Sequence, residues 1–317
     1  MRGKRSRKDV QEFERNLMAN IISLHNDLVA KTYIHSAYQA FKIADPKPRD
    51  IHKAIVRDRL LHHALHRKLS PFFNKTFIAD SNSCQNGKGT HRALNRFRKF
   101  INIVSENNTQ TVWVLKCDIK KFFANIDQTI LLEIVDQYIP DKDITWLISV
   151  IVKSFHSGVP GIGLPLGNLT SQLLVNIYMN EFDQYMKHRL KAEYYLRYAD
   201  DFAVLSQSRS YLESILPAMH IFLGERLRLT MHPNKISIQT AASGVDFLGW
   251  VHFPDHRVLR TTTKKRMFKN IKIKEAKAET VQSYLGLVSH GNTWKLQQEI
   301  QSKMPKSELL AEDRPIS

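Results

Sequence analysis

The chain is expected to be an α+β protein. Three observations predict this: helical periodicity over the first hundred residues, a change of period at Thr111, and a basic, helical final stretch from about residue 256. Its 317 residues are enough to bury a sizeable core.

Taken in order, residues 11–30 and 51–69 place apolar side chains three and four apart, as in Ile51, Ile55, Leu60, Leu61, Leu65 and Leu69, and each predicts a helix. Asp45-Pro46-Lys47-Pro48 predicts a break between them. A polar loop over 80–90 ends in Gly87-Lys88-Gly89-Thr90, and a basic amphipathic helix follows with Leu94, Phe97, Ile101 and Val104 on one face. Thr111 to Ile119 is β-branched and aromatic, which predicts a strand. Helices are expected at about 128–138, 143–156 and 168–190, with Asp127 and Asn168 as N-terminal caps. Tyr194 to Leu205 predicts two short strands, then a helix at about 209–227 and strands at 235–239 and 245–253.

Composition narrows the partners. Lys and Arg total 47 against 30 Asp and Glu, a net charge of +17, so the chain calls for a polyanion or an anionic surface. Nine Lys or Arg against the single acid Glu275 fall between Arg257 and Lys277. No run of 18 apolar residues exists, so no membrane helix is expected. The basic start, Met1 to Lys8, lacks the apolar segment of a secretory signal. Cys84 and Cys117 form no disulfide framework and fit reduced thiols in the cytoplasm.

The chemistry-bearing feature is Tyr198-Ala199-Asp200-Asp201, flanked by Leu196, Phe202, Val204 and Leu205. Strands disfavour Asp, and adjacent carboxylates at a core edge repel unless a cation lies between them. A hairpin tip resolves this by burying the apolar residues while the turn presents charge. Asp118 likewise ends an apolar strand. Oxygen ligands at strand ends suit Mg²⁺, which retains waters and is completed by substrate phosphates. Two such ions can stabilise both the attacking and the leaving oxygen of an in-line phosphoryl transfer.

On these residues the sequence resembles the reverse transcriptases. Leu115-Lys116-Cys117-Asp118-Ile119-Lys120-Lys121-Phe122-Phe123-Ala124-Asn125-Ile126-Asp127 is similar to their first catalytic block. Gly163-Leu164-Pro165-Leu166-Gly167-Asn168-Leu169-Thr170-Ser171-Gln172 is similar to the second, and Tyr198-Ala199-Asp200-Asp201 to the third. Leu229 to Lys235 resembles the fourth, and Phe247-Leu248-Gly249-Trp250 the primer-gripping fifth. Arg57-Asp58-Arg59 and Gly87-Lys88-Gly89-Thr90-His91 resemble upstream blocks. Any one block is weak; five in family order are specific.

The resemblance implies a right-hand polymerase: helical fingers over 1–109, a palm with antiparallel sheet over 110–255, and a short helical thumb and tail over 256–317. It makes Asp118, Asp200 and Asp201 the holders of two Mg²⁺ (or Mn²⁺), with the Ile119 carbonyl as a further ligand. Lys235 would give a proton to departing pyrophosphate. Lys88 and Arg92 would contact the deoxynucleoside triphosphate, although loop cations are often merely solvated. Phe123 would gate against a ribose 2′-OH, unless it only packs in the core. Gly167 would let the backbone approach the nascent base pair, with Ser171 and Gln172 near nucleotide or template. Leu248, Gly249 and Trp250 would grip the primer, and Lys264, Lys265 and Arg266 would follow the phosphates of template RNA and RNA/cDNA hybrid.

One departure points further. Leu166-Gly167 followed by Ser171-Gln172 replaces the Gln-Gly and Ser-Pro of many prokaryotic members, and resembles the enzymes of diversity-generating retroelements. Those are encoded by prokaryotes or phages, copy RNA with errors at template adenines, and work with a small basic oligomeric accessory protein. The short stretch after Tyr284-Leu285-Gly286 leaves no expected room for a maturase or endonuclease domain. A retron or phage-defence enzyme, or a non-catalytic nucleic-acid-binding polymerase fold, remains open as an alternative. His62 and His66 share a helix face but have no evident third ligand for zinc.

Overall fold

The computed structural model describes residues 3–44 and 48–303. The expected break at Asp45-Pro46-Lys47, the first two residues of the basic start and the end of the tail lie outside the described residues. Helices α1 (Lys8–Arg15) and α2 (Leu17–Val29) lead into an antiparallel hairpin of β1 (Gln39–Ile43) and β2 (Arg49–Lys53), with Phe41 opposite Ile51. The periodicity had assigned Ile51 to a helix. That helix, α3 (Val56–Phe73), starts later because tertiary hydrogen bonds hold the preceding residues extended. The Asn168 amide donates to the His52 carbonyl at 2.7 Å and accepts from the Ala54 N–H at 3.2 Å.

Helix α4 (Thr90–Val104) buries Ala93, Leu94, Phe97, Phe100, Ile101 and Val104, the face anticipated from sequence. Strand β3 (Trp113–Asp118) precedes α5 (Gln128–Tyr138), α6 (Lys142–Lys153) and α7 (Leu169–Gln184). Asp127 caps α5 as expected, accepting from the Thr129 and Ile130 N–H groups. Asn168 begins α7 without capping it, because its side chain is committed to the β2 strand end. Twelve of the 16 residues of α7 are buried, among them Asn176, Asn180 and Asp183, whose polar groups need partners inside the protein.

The hairpin of β4 (Tyr195–Tyr198) and β5 (Asp201–Ser206) precedes α8 (Arg209–Ile221) and β6 (Ser237–Thr240). Hydrogen bonding orders these strands β4-β5-β3-β6, with β3 and β6 antiparallel and Leu115 opposite Ile238. A second sheet contains β7 (Val245–Phe247), β8 (Trp250–His252) and β9 (Arg257–Leu259), all antiparallel. Strand β9 falls where the sequence predicted helix. Three residues are too short to show a period, and pairing with β8 buries Arg257 and Leu259. Helices α9 (Thr261–Ile273), α10 (Ala278–Val288) and α11 (Trp294–Gln301) complete the described chain.

Contacts group the residues into two units. One holds Met1–Gly89, Cys117–Phe202 and Ser214–Ile236; the other holds Thr90–Lys116, Ala203–Glu213 and Ser237–Ser317. No helix among the described residues is long and apolar enough to cross a membrane.

Each unit buries a histidine. His62 lies 3.1 Å, Nε2 to Nε2, from His35, and burial followed by repulsion from His35 lowers its pKa to about 4. His252 packs edge-on to Phe97 at 4.7 Å, and burial followed by Arg257 and Arg98 lowers its pKa to about 3. In the unfolded chain both would titrate near pH 6.5, so acid favours unfolding. The stabilising contribution of neutral burial is present above about pH 6.5 and is lost as pH falls toward the folded values. The melting temperature should therefore fall between about pH 6.5 and pH 4.5, and His252→Phe should flatten that slope. A parallel slope in wild type and variant would exclude His252 as a cause.

Candidate active site

Buried apolar residues of β3 (Val114, Leu115, Cys117) bring Asp118 to the strand end, where it is 8% exposed. The two residues Ala199 and Asp200 join β4 to β5, and Asp201 opens β5. The Asp200 carbonyl accepts from the Ile119 N–H at 3.3 Å, which ties the hairpin tip to the end of β3. The segment after α8 closes in from the other side. The Thr230 carbonyl accepts from the Lys120 N–H at 2.9 Å, and the Asp118 carbonyl accepts from the His232 N–H at 2.7 Å. This lacing presents the Lys235 ammonium to Asp118 Oδ1 at 2.7 Å.

Three segments predicted separately, around Asp118, Asp200 and Lys235, therefore meet. Burial and then the charge of Asp118 raise the pKa of Asp200, while Lys235 and Arg49 pull it back. A pair of carboxylates held this way gains from a cation placed between them. Among the described residues no three His, Cys, Asp or Glu groups lie close enough to hold a metal by themselves. Asp201 thus does not complete a three-carboxylate cluster with Asp118 and Asp200. Such a donor set fits Mg²⁺, whose remaining positions go to water and phosphate oxygens.

The ring pair after β3 divides its roles. Phe122 is buried, whereas Phe123 is half-exposed and meets Phe122 edge-on at 5.6 Å. The Phe123 carbonyl accepts from the Leu164 N–H at 2.8 Å, which fixes the backbone beneath the ring. Phe122, not Phe123, is the core residue of the two. Gly167 has φ +109°, and a Cβ there would lie 2.7 Å from Ile51 Cγ2. In this structure the close approach that requires glycine is therefore with strand β2. Ser171 is buried and Gln172 half-buried on the first turn of α7.

Lys88 donates to the Ser81 and Ile78 carbonyls at 2.8 and 3.3 Å, so its ammonium is engaged by its own loop. Arg92 is exposed on α4. Leu248 (φ +50°) and Gly249 (φ +84°) make the two-residue turn between β7 and β8, and Trp250 is buried. A Cβ on Gly291 would fall 2.0 Å from Trp250 Cζ3, so only glycine fits against that ring. Lys264 and Lys265 are exposed on α9 and Arg266 is half-buried. His62 is paired with His35, His66 hydrogen-bonds Ser70 Oγ, Cys84 is exposed and Cys117 buried.

Sequence reasoning missed two features. Arg49 on β2 acts on Asp200 through its charge, and the helix assignment at Ile51 had hidden that strand. Arg197 on β4 is fully buried and forks onto Asp183 of α7 at 2.7–3.1 Å. Burial alone would lower the Arg197 pKa, but the Asp183 carboxylate outweighs it and the net direction is upward. Removing one partner of such a pair costs about 3–5 kcal/mol. The signal was an arginine in an apolar strand run, Tyr195-Leu196-Arg197-Tyr198. The same network reaches the hairpin tip, where Ala199 has φ +55°. An alanine in the left-handed region costs roughly 1–2 kcal/mol.

Comparison with known proteins identifies the family. The family described as reverse transcriptase (RNA-dependent DNA polymerase) matches residues 44–252. Protein YkfC of Escherichia coli K12 is 24% identical over 246 residues, covering 66% of this chain and 62% of YkfC. The group II intron-encoded protein LtrA of Lactococcus lactis subsp. cremoris is 23% identical over 278 residues, covering 66% of this chain and 44% of LtrA. The chain thus spans less than two thirds of either relative. In fold it is similar to apo telomerase from Candida tropicalis, with a TM-score of 0.58 at 12% identity, over 85% of this chain and 57% of that one. Telomerase from Candida albicans, solved with a fragment of telomeric RNA, gives 0.56 at 11% identity, over 88% and 55%.

Proposed function

Given that the chain belongs to the reverse transcriptase family, we propose that it is an RNA-directed DNA polymerase that makes cDNA for a diversity-generating retroelement. The observation that supports the activity is the meeting of Asp118, Asp200 and Lys235 at adjoining strand ends. Asp118 and Asp200, with Asp201 and the Ile119 carbonyl nearby, would hold Mg²⁺. The metal would supply charge stabilisation at the attacking and leaving oxygens of nucleotidyl transfer. Lys235 faces Asp118 Oδ1 at 2.7 Å and would give a proton to departing pyrophosphate. Phe123, half-exposed above a fixed backbone, would exclude a ribose 2′-OH. Lys88, Arg92 and Arg49 would meet the triphosphate, and Gly167, Ser171 and Gln172 the nascent pair.

In this reading the Leu248-Gly249 turn grips the primer, while Lys264, Lys265 and Arg266 lie along template RNA and hybrid duplex. Phosphate contact of that kind makes affinity fall steeply with salt. A small basic oligomeric accessory protein completes the system, and RNA bridges the two basic partners.

The retroelement type is supported by Leu166-Gly167 followed by Ser171-Gln172. Its test is to copy a defined RNA with deoxynucleotides, with and without the accessory protein, and to sequence the cDNA. Substitutions concentrated opposite template adenines are expected. Faithful copying in both reactions would remove the retroelement type and leave the polymerase.

A further inference from the structure

We propose that Arg197 and Ser83 are positioning residues that hold Ala199 in its left-handed conformation and so set the direction in which Asp200 leaves the hairpin. The inference rests on Asp118 and Asp200 being the metal-binding pair. A left-handed alanine persists only where its surroundings over-determine it. Here both polar groups of Ala199 are gripped by side chains. Its N–H donates to Ser83 Oγ at 3.0 Å, and its carbonyl accepts from Arg197 Nη1 at 3.0 Å.

Both grips are themselves fixed. Arg197 Nε and Nη2 are held by Asp183, and Nη2 also donates to Ser81 Oγ at 3.1 Å. Arg197 Nη1 also reaches Asn176 Oδ1 at 3.2 Å, and Asn176 Nδ2 donates to the Ser83 carbonyl at 2.9 Å. The Asp80–Ser83 segment lies against β4. The Arg197 N–H donates to the Asp80 carbonyl at 3.0 Å, the Asn82 N–H donates to the Arg197 carbonyl at 2.9 Å, and Ser81 forms a parallel bridge with Arg197. The segment thus behaves as an added strand that presents the Ser83 hydroxyl to the turn.

A buried ion pair is a weak way to gain stability, since apolar residues of similar volume often serve as well. Its N–H geometry here has a use that apolar residues could not supply, because one guanidinium nitrogen is left to bind the turn carbonyl. The next residue in the chain is Asp200, whose own carbonyl is tied to the Ile119 N–H. A change in the Ala199 backbone would therefore redirect the Asp200 carboxylate relative to Asp118. Neither Arg197 nor Ser83 touches a reacting group; they act through Ala199.

The lead variant is Ser83→Ala, which removes one grip and leaves the buried ion pair whole. Arg197→Lys serves as the second, and a thermal melt shows whether it folds. The readouts are the Mg²⁺ concentration for half-maximal primer extension and direct Mn²⁺ binding to the full chain. Ser83→Ala should raise the half-maximal Mg²⁺ concentration and the Mn²⁺ dissociation constant each by about three- to tenfold, the size of one lost hydrogen bond, with the KM for template unchanged. Adding Ala199→Gly should restore most of the loss, because glycine adopts φ near +55° without being held. A loss of general packing would not be restored in this way. Wild-type metal dependence in Ser83→Ala, or a loss that Ala199→Gly leaves in place, would overturn the proposal. Asp200→Asn is run in parallel. If it keeps normal Mn²⁺ binding and extension, the metal assignment fails and this inference with it. If only Asp200→Asn is impaired, the metal assignment stands and the positioning role alone is lost.

Discussion

Primer extension on an RNA template is expected to fall by about three or more orders of magnitude in Asp118→Asn and Asp200→Asn, the scale set by loss of metal-borne charge stabilisation. Asn keeps the shape and removes the charge. The Asp118 backbone is anchored through the His232 N–H, and the Asp200 backbone through the Ile119 N–H, so neither substitution should displace the strand ends. Template binding should be retained, because it depends on basic residues elsewhere. A further sign is expected in stability. Burial and the Asp118 charge act against ionised Asp200, so Asp200→Asn relieves repulsion and should leave the melting temperature unchanged or raised, whereas Asp118→Asn also gives up the ion pair with Lys235. Normal extension by both variants would end the two-metal assignment. Low activity with a collapsed melting temperature would mean that the aspartates are structural.

The second large effect concerns sugar choice. Phe123→Ala and Phe123→Val should raise ribonucleotide incorporation relative to deoxynucleotide by roughly ten- to a hundredfold, the discrimination lost with a steric contact of one to three kcal/mol. The structure separates this from damage to the core. Phe122 is buried, while Phe123 is half-exposed and its backbone is held independently by Leu164. Phe122→Ala is therefore the control, expected to cost about 3–5 kcal/mol of stability. The measurement is competitive incorporation of matched ribo- and deoxynucleotides opposite each template base. An unchanged ratio in both Phe123 variants would remove the gate.

The sheet core was legible because its strands announce themselves. Thr111 to Ile119 is rich in β-branched and aromatic residues, and the Asp-Asp pair is out of place unless a turn presents it. Helices α4 and α5 were readable for the same kind of reason, an apolar stripe in one and a capping aspartate in the other. Strand β2 was not. Ile51 and Ile55 fall at helical spacing with Leu60 and Leu61, and what overrides the pattern is an asparagine 114 to 116 residues away in sequence. Strand β9 was hidden by the basic residues that follow it. At the site, the aspartates and Lys235 could be named because motif order carries that information. The support beneath them could not, since Arg197, Asp183, Asn176 and Ser83 are linked only by the fold.

That support also bears on the order in which the protein folds. The bonds that join Arg197 to Ser81 and Asn176 to Ser83 close loops of 116 and 93 residues, while Arg197 and Asp183 are only 14 apart. The ion pair can form as soon as α7 docks on β4. The bonds to the Asp80–Ser83 segment must wait until distant parts of the chain have met, and long loop closures slow folding. A refolding chain would regain most of its helix before the Asp80–Ser83 segment locks onto the hairpin. Its two carboxylates would therefore be among the last groups to take their final places.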